Sequence, residues 1–170
     1  MNRCFYVVSW NVRGLGDLDK STIVRNAFFD VKPSIICLQE TKLDCVNHFK
    51  AKSFLPSNLA STFVFAPVDD TRGGILTAWE LGPCSVLPYE LFLKPHSLTT
   101  SFSCNASNLD FTVTNTYGPS DHSGSLPFLQ NLQELPPLIG GPWILLDDFN
   151  RVRCRQEQWA VQLLPCHNFQ

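Results

Sequence analysis

Apolar residues in this chain come in short bursts, and most bursts stop at a polar side chain. Residues 5–10 are β-branched and aromatic and end at Asn11, which predicts a strand. Gly14 and Gly16 then mark a loop. From Asp19 the period changes. Ile23, Val24, Ala27, Phe28 and Val31 recur at helical spacing, and Pro33 stops the helix. Residues 35–38 form a continuous apolar run, as in a strand buried on both faces, and it ends at Gln39 and Glu40. The opening unit therefore reads strand, helix, strand. Such a crossover sets its two strands parallel or as near neighbours in one sheet.

A short amphipathic helix is predicted over residues 46–54. Five strands follow, over residues 62–66, 74–79, 84–92, 98–103 and 111–115. Turn residues separate them, among them Asp69-Asp70, Gly82-Pro83, Lys94-Pro95 and the stretch 105–108, a spacing that predicts antiparallel neighbours. After Gly118-Pro119 a helix is predicted with Leu126, Leu129, Leu132 and Leu135 on one side, ended by Pro136-Pro137. Residues 143–146 read as another buried strand, ending at Asp147-Asp148-Phe149-Asn150. Beyond Asn150 the pattern fades into a small basic cluster, Arg151, Arg153 and Arg155, read as a solvated face. The expectation is one α/β domain with mixed strands over residues 1–150 and a divergent tail over residues 151–170.

Composition narrows the class of protein. The chain has 170 residues and is 44% hydrophobic, enough for one buried core. No stretch approaches the roughly 20 apolar residues that span a bilayer, and the first residues lack the apolar core of a signal peptide. A net charge of −2 speaks against a bulk nucleic-acid binder with a basic face. It leaves open an enzyme that meets nucleic acid through a small site and a metal ion. The 7 cysteines are odd in number and show no C-x-x-C spacing, which argues against a disulfide framework or a zinc site. The chain is expected to be intracellular, soluble and reduced, with no membrane and no obligate protein partner.

Four strand ends carry candidate chemistry: Asn11, Glu40, Tyr117, and Asp148 with Asn150. Ligand sites gather at strand ends because the sheet is rigid there and the loops are free to vary. A carboxylate with amide oxygens is a hard donor set, suited to Mg²⁺ with few protein ligands. The strings around these residues are more specific. They are Ser9-Trp10-Asn11-Val12-Arg13-Gly14-Leu15, Leu38-Gln39-Glu40-Thr41-Lys42, Arg72-Gly73-Gly74-Ile75, Thr116-Tyr117-Gly118-Pro119, and Pro142-Trp143-Ile144-Leu145-Leu146-Asp147-Asp148-Phe149-Asn150. In that order, over about residues 5–150, the chain resembles the endonuclease/exonuclease/phosphatase superfamily. Within it, the chain looks most like the apurinic-endonuclease-like domain of plant LINE-type (non-LTR) retrotransposons.

The resemblance implies a layered α/β sandwich of the DNase I-like type with mixed sheets. It implies that Glu40 holds a catalytic Mg²⁺ (or Mn²⁺), with Asn11 beside it placing metal and phosphate. It further implies that Tyr117 contacts the scissile phosphate, Asp148 orients or activates the attacking water, and Asn150 bonds the phosphate oxygens. DNA is the implied substrate and the nucleus the implied location. The sequence departs from the family pattern twice. Asp147 stands where the family usually has glycine, so a strained loop or a crowded metal is expected if that glycine serves a special backbone angle or a close approach. The family also carries further strands and a Ser-Asp-His segment after the position of Asn150. In the family the His of that segment acts on the phosphate and its Asp orients the His. The resemblance therefore implies a C-terminally truncated domain, impaired in catalysis by that loss, with its second sheet incomplete and an edge exposed. Ser120-Asp121-His122 has the right letters ahead of Asp148 and reads as a helix start. Two alternatives stand beside the endonuclease: a non-catalytic transposon remnant, and a phosphatase of the same superfamily acting on a small phosphoester.

Overall fold

The computed structural model describes residues 6–68, 73–82, 84–104, 108–119, 122–148 and 161–163. Strand β1 (Tyr6–Asn11) leads into helix α1 (Leu18–Val31) and strand β2 (Ile35–Gln39). Strands β1 and β2 pair in parallel, Val7 with Ile35 through Asn11 with Gln39, as a crossover demands. Asp17 caps α1 by accepting from the Asp19 N–H, and Lys32 ends it in the left-handed region just before Pro33. Helix α2 (His48–Phe54) follows, then β3 (Phe63–Ala66) and β4 (Ile75–Trp79). Strand β4 pairs antiparallel with both β2 and β3. A strand in the tail, β9 (Val161–Leu163), pairs antiparallel with β1, so the first sheet runs β3-β4-β2-β1-β9.

The second sheet runs β5-β6-β7-β8, from β5 (Cys84–Lys94), β6 (Ser97–Cys104), β7 (Leu109–Tyr117) and β8 (Trp143–Asp148). The first three are antiparallel, and β8 joins β7 in parallel after helix α3 (His122–Gln133) and a 3-10 turn at Pro136–Leu138. Strand β8 is an edge of this sheet among the described residues, and Trp143, Ile144 and Leu145 along it are half-buried. No helix among the described residues is long and apolar enough to cross a membrane.

Strand alternation sorts the core into layers. Val8, Ile36, Leu38, Leu76 and Ala78 pack with Val24, Phe28, Ala51 and Phe54 of the first two helices. Val7, Ile35, Cys37 and Trp79 point the other way and meet Phe102, Phe111, Val113 and Leu146 of the second sheet. The mixed α/β sandwich expected from sequence is therefore present. Two helix faces differ from expectation. On α1 the buried line is Ser21, Val24 and Phe28, while Ile23 and Val31 are exposed. On α3 Phe128 is buried, as is Leu135 just past the helix, whereas Leu126 and Leu129 face solvent. Leucines three apart drift by about 60° per step around a helix with 3.6 residues per turn, so four of them cannot share one face.

Candidate functional site

The strand ends of the first sheet are zipped together by backbone. The parallel ladder of β1 and β2 continues past its last pair: Val12 N–H donates to the Gln39 carbonyl (3.0 Å), Gly14 to Glu40 (2.6 Å) and Leu15 to Thr41 (2.8 Å). A third segment joins from the β3–β4 side, with Thr41 N–H donating to the Gly74 carbonyl (3.1 Å) and Lys42 to Gly73 (2.7 Å). Arg13, Gly14, Glu40, Lys42 and Gly74 all take positive φ in this knot. Left-handed backbone on bulky residues is costly and gathers where a site is held in place.

Asn11 closes β1 and Glu40 follows β2, so they occupy adjacent strand ends. The Asn11 Oδ1 accepts from the Arg13 N–H at 2.9 Å, which turns the loop at once. The Glu40 carboxylate ion-pairs with Lys42, Oε1 to Nζ 3.1 Å, and its side chain is 18% exposed. Gly73 leaves room for it: a Cβ there would lie 2.9 Å from Glu40 Cγ. Among the described residues no three His, Cys, Asp or Glu side chains cluster. The donor set suits a hard cation that keeps several waters, Mg²⁺ or Mn²⁺, rather than zinc. In this structure the cation on Oε1 is the Lys42 ammonium.

On the second sheet, Tyr117 ends β7 and pairs in register with Asp148, the last residue of β8. The Tyr117 N–H donates to the His96 carbonyl (3.0 Å). Asp147 is half-buried and its Oδ1 accepts from the Gly118 N–H (3.0 Å), pinning the loop after Tyr117. Its φ is not positive, so no left-handed backbone calls for glycine at this position. Asn150, the basic cluster of Arg151, Arg153 and Arg155, and Arg72 lie outside the described residues, as do Ser120 and Asp121; α3 begins at His122.

The two sets of strand ends lie at the same edge of the sandwich. Gln39 Nε2, one residue before Glu40, donates to Asn115 Oδ1 (2.6 Å), two residues before Tyr117. Tyr117 shares with Asn115 the strand face turned toward the first sheet. Asn11, Glu40, Tyr117 and the backbone of Asp148 are thus gathered at one edge. Sequence reasoning assigned no role to Gln39, Asn115 or Lys42. The available signal was an amide at the end of a run buried on both faces, where polar side chains are rare unless partnered.

Known structures share this fold. The chain is similar to AP endonuclease LMAP from Leishmania major, at 24% identity and TM-score 0.66, covering 86% of this chain and 55% of that one. The endonuclease domain of TRAS1, a telomere-specific non-LTR retrotransposon, matches at 14% identity and TM-score 0.65, covering 89% and 63%. A mannosyl-6-phosphatase from Bacteroides thetaiotaomicron matches at 14% identity and TM-score 0.60, covering 86% and 65%. At these identities the likeness is one of fold, and the chain spans less than two thirds of each of these three structures. No curated relative matches the sequence. The model of the Endonuclease/Exonuclease/phosphatase family matches residues 8–158, and the chain belongs to that family.

Proposed function

We propose that this chain is a divalent-metal-dependent phosphodiesterase domain that cuts or nicks DNA, of LINE-type retrotransposon descent. The observation that carries the reading is the convergence of the Asn11–Glu40 strand ends with the Tyr117–Asp148 strand ends at one edge of the sandwich. In this reading Glu40 holds Mg²⁺ or Mn²⁺, with Asn11 beside it. When bound, the metal supplies charge to polarise a phosphoryl oxygen. Tyr117 contacts the scissile phosphate, Asp148 orients the attacking water and Asn150 bonds the phosphate oxygens. Positioning and electrostatic stabilisation do most of the work in such a transfer. The retrotransposon strings around Asn11 and Tyr117, and the likeness to the TRAS1 domain, favour DNA as the substrate and the nucleus as the place of action. Residues 1–150 form the catalytic domain in this reading, and residues 151–170 are a divergent extension of it.

The test is Mg²⁺-dependent nicking of supercoiled plasmid by the purified chain, lost in Glu40→Ala. Release of phosphate from a small phosphoester without DNA cleavage would instead identify a phosphatase. Neither activity, in a chain that still binds Mn²⁺, would identify a non-catalytic remnant.

A further inference from the structure

The layer between the sheets is apolar along most of its length and turns polar at the site edge. There the Gln39 amide, 1% exposed, donates to Ser9 Oγ (2.9 Å) and to Asn115 Oδ1 (2.6 Å). Asn115, fully buried, donates in turn to the carbonyls of Leu76 (2.9 Å) and Leu38 (3.3 Å) and to Thr77 Oγ1 (3.2 Å). One side chain of β7 therefore binds two strands of the opposite sheet, and Gln39 links it to a third through Ser9. Apolar contacts would hold the sheets together equally well, as Phe102 and Val113 do further along. Hydrogen bonds add direction: a satisfied buried network fixes one register of one sheet on the other.

We propose that Gln39 and Asn115 are a positioning pair. They set the register of the strand ends carrying Asn11 and Glu40 against those carrying Tyr117 and Asp148, so that a phosphate beside the metal is met from both sheets at once. The inference rests on the phosphodiesterase reading. Its signature is a separation of effects. Metal is held by the first sheet alone and should tolerate loss of the pair. A phosphate backbone bound across both sheets should not.

The experiment uses the full chain, unsubstituted and as Gln39→Leu, Gln39→Leu/Asn115→Leu and Glu40→Ala. Three quantities are measured: the thermal midpoint by circular dichroism, Mn²⁺ binding by water-proton relaxation, and binding of a fluorescein-labelled DNA duplex in Ca²⁺ by anisotropy. Gln39→Leu strands the Asn115 acceptor and lowers the midpoint. The double variant removes the stranded acceptor and recovers that part of the loss, while the donors to Ser9, Leu38, Leu76 and Thr77 go with it. Mn²⁺ affinity is expected to stay within about twofold in both, while duplex affinity falls roughly tenfold in both, a coupling typical of residues in one network. Duplex affinity that recovers together with the midpoint in the double variant overturns the proposal, since the pair is then only a fold element. Unchanged duplex affinity in Gln39→Leu overturns it too, as does a double variant that never folds. An unsubstituted chain with no Glu40-dependent Mn²⁺ binding, or no duplex binding, is a different failure: it overturns the phosphodiesterase reading itself, and the pair's proposed role with it.

Discussion

The two sheets bring strand ends to the same edge but hold them by different means. In the first sheet the loops after β1 and β2 and the loop before β4 are tied by main-chain hydrogen bonds and left-handed residues. In the second, side chains add ties beside the main-chain bond of Tyr117 to His96: the Asp147 carboxylate pins the Gly118 N–H, Trp143 Nε1 donates to Thr114 Oγ1 (2.8 Å), and the hydroxyls of Thr99 and Thr114 and of Ser101 and Thr112 pair at 2.9 and 3.0 Å. The difference matters for substitution. A site held by backbone is sensitive to what can fit at its glycines and tolerant elsewhere. A site held by side chains loses support one hydrogen bond at a time.

The largest effect should come from cutting what the halves share. Phe102 is fully buried between the sheets, stacked on Phe111 and edge-on to Trp79, with ring centroids 5.6 Å apart in both pairs. Phe102→Ala should cost about 3–5 kcal/mol by lost burial and cavity formation. Urea unfolding followed by circular dichroism and by tryptophan fluorescence should still give one coincident transition. Two separated transitions would mean that the sheets unfold as independent halves.

The next effect sharpens the contrast from the backbone-held side. Gly73→Ala places a Cβ 2.9 Å from Glu40 Cγ and 3.1 Å from Glu40 Cα. Overpacking of this kind costs about 1–3 kcal/mol, and the pressure falls on the carboxylate, so Mn²⁺ binding should weaken as well. Gly16→Ala is the control, because nothing lies within 4 Å of the added atom. It should change stability by less than about 0.5 kcal/mol and leave Mn²⁺ binding alone. Equal effects at both glycines would remove the argument that Gly73 makes room for Glu40.

Much of this architecture was legible in the order of residues, and the failures share a cause. The β1–α1–β2 unit declared itself because residues 35–38 are apolar without interruption, which only a strand covered on both faces needs. The strand ends at Asn11, Glu40 and Tyr117 followed from where apolar runs stop. What escaped were features set by partners distant in sequence. Ser21 is buried because its hydroxyl donates to the Leu15 carbonyl, whereas Ile23 meets solvent. Val161–Leu163 is too short for any period to show, and only the exposed ladder of β1 explains its pairing there. The Gln39–Asn115 bond spans 76 positions, which no local pattern reports.

A smaller effect belongs to the side-chain-held half. Asp147→Gly restores the residue usual in the family and removes the acceptor for the Gly118 N–H. The cost should be about 1 kcal/mol, the usual net worth of one hydrogen bond, with Mn²⁺ binding unchanged because Glu40 and Asn11 sit on the other sheet. A loss of Mn²⁺ binding here would show that the halves are not separable in the way described. Lys42→Met probes the same division from the opposite side. An exposed ion pair contributes less than about 1 kcal/mol to stability, so its removal should leave the melting midpoint nearly unmoved.

The smallest effect reports on whether the halves part at all. Cys37 lies in the inter-sheet layer, where burial pushes its thiol from the ordinary 9.0 up to about 12, opposed by a hydrogen bond with Thr77. Cys45 is exposed. At pH 8 a thiol reagent should therefore modify Cys45 quickly and Cys37 only when the sheets separate. The linkage has a definite sign. Below about pH 9 both folded and unfolded chains keep the Cys37 proton, and pH does not act through it. Between 9.0 and about 12 the unfolded chain gives the proton up while the folded chain retains it, so stability falls as pH rises. Cys37→Ala should remove that part of the alkaline slope, measured as the difference in urea midpoint between the two chains at pH 8 and pH 10. Phe102→Ala should speed Cys37 labelling without changing the rate at Cys45, because it weakens the contact between sheets and leaves the exposed loop as it was. If both rates rise together, the loosening is global and the inter-sheet layer is not the seam along which this molecule opens.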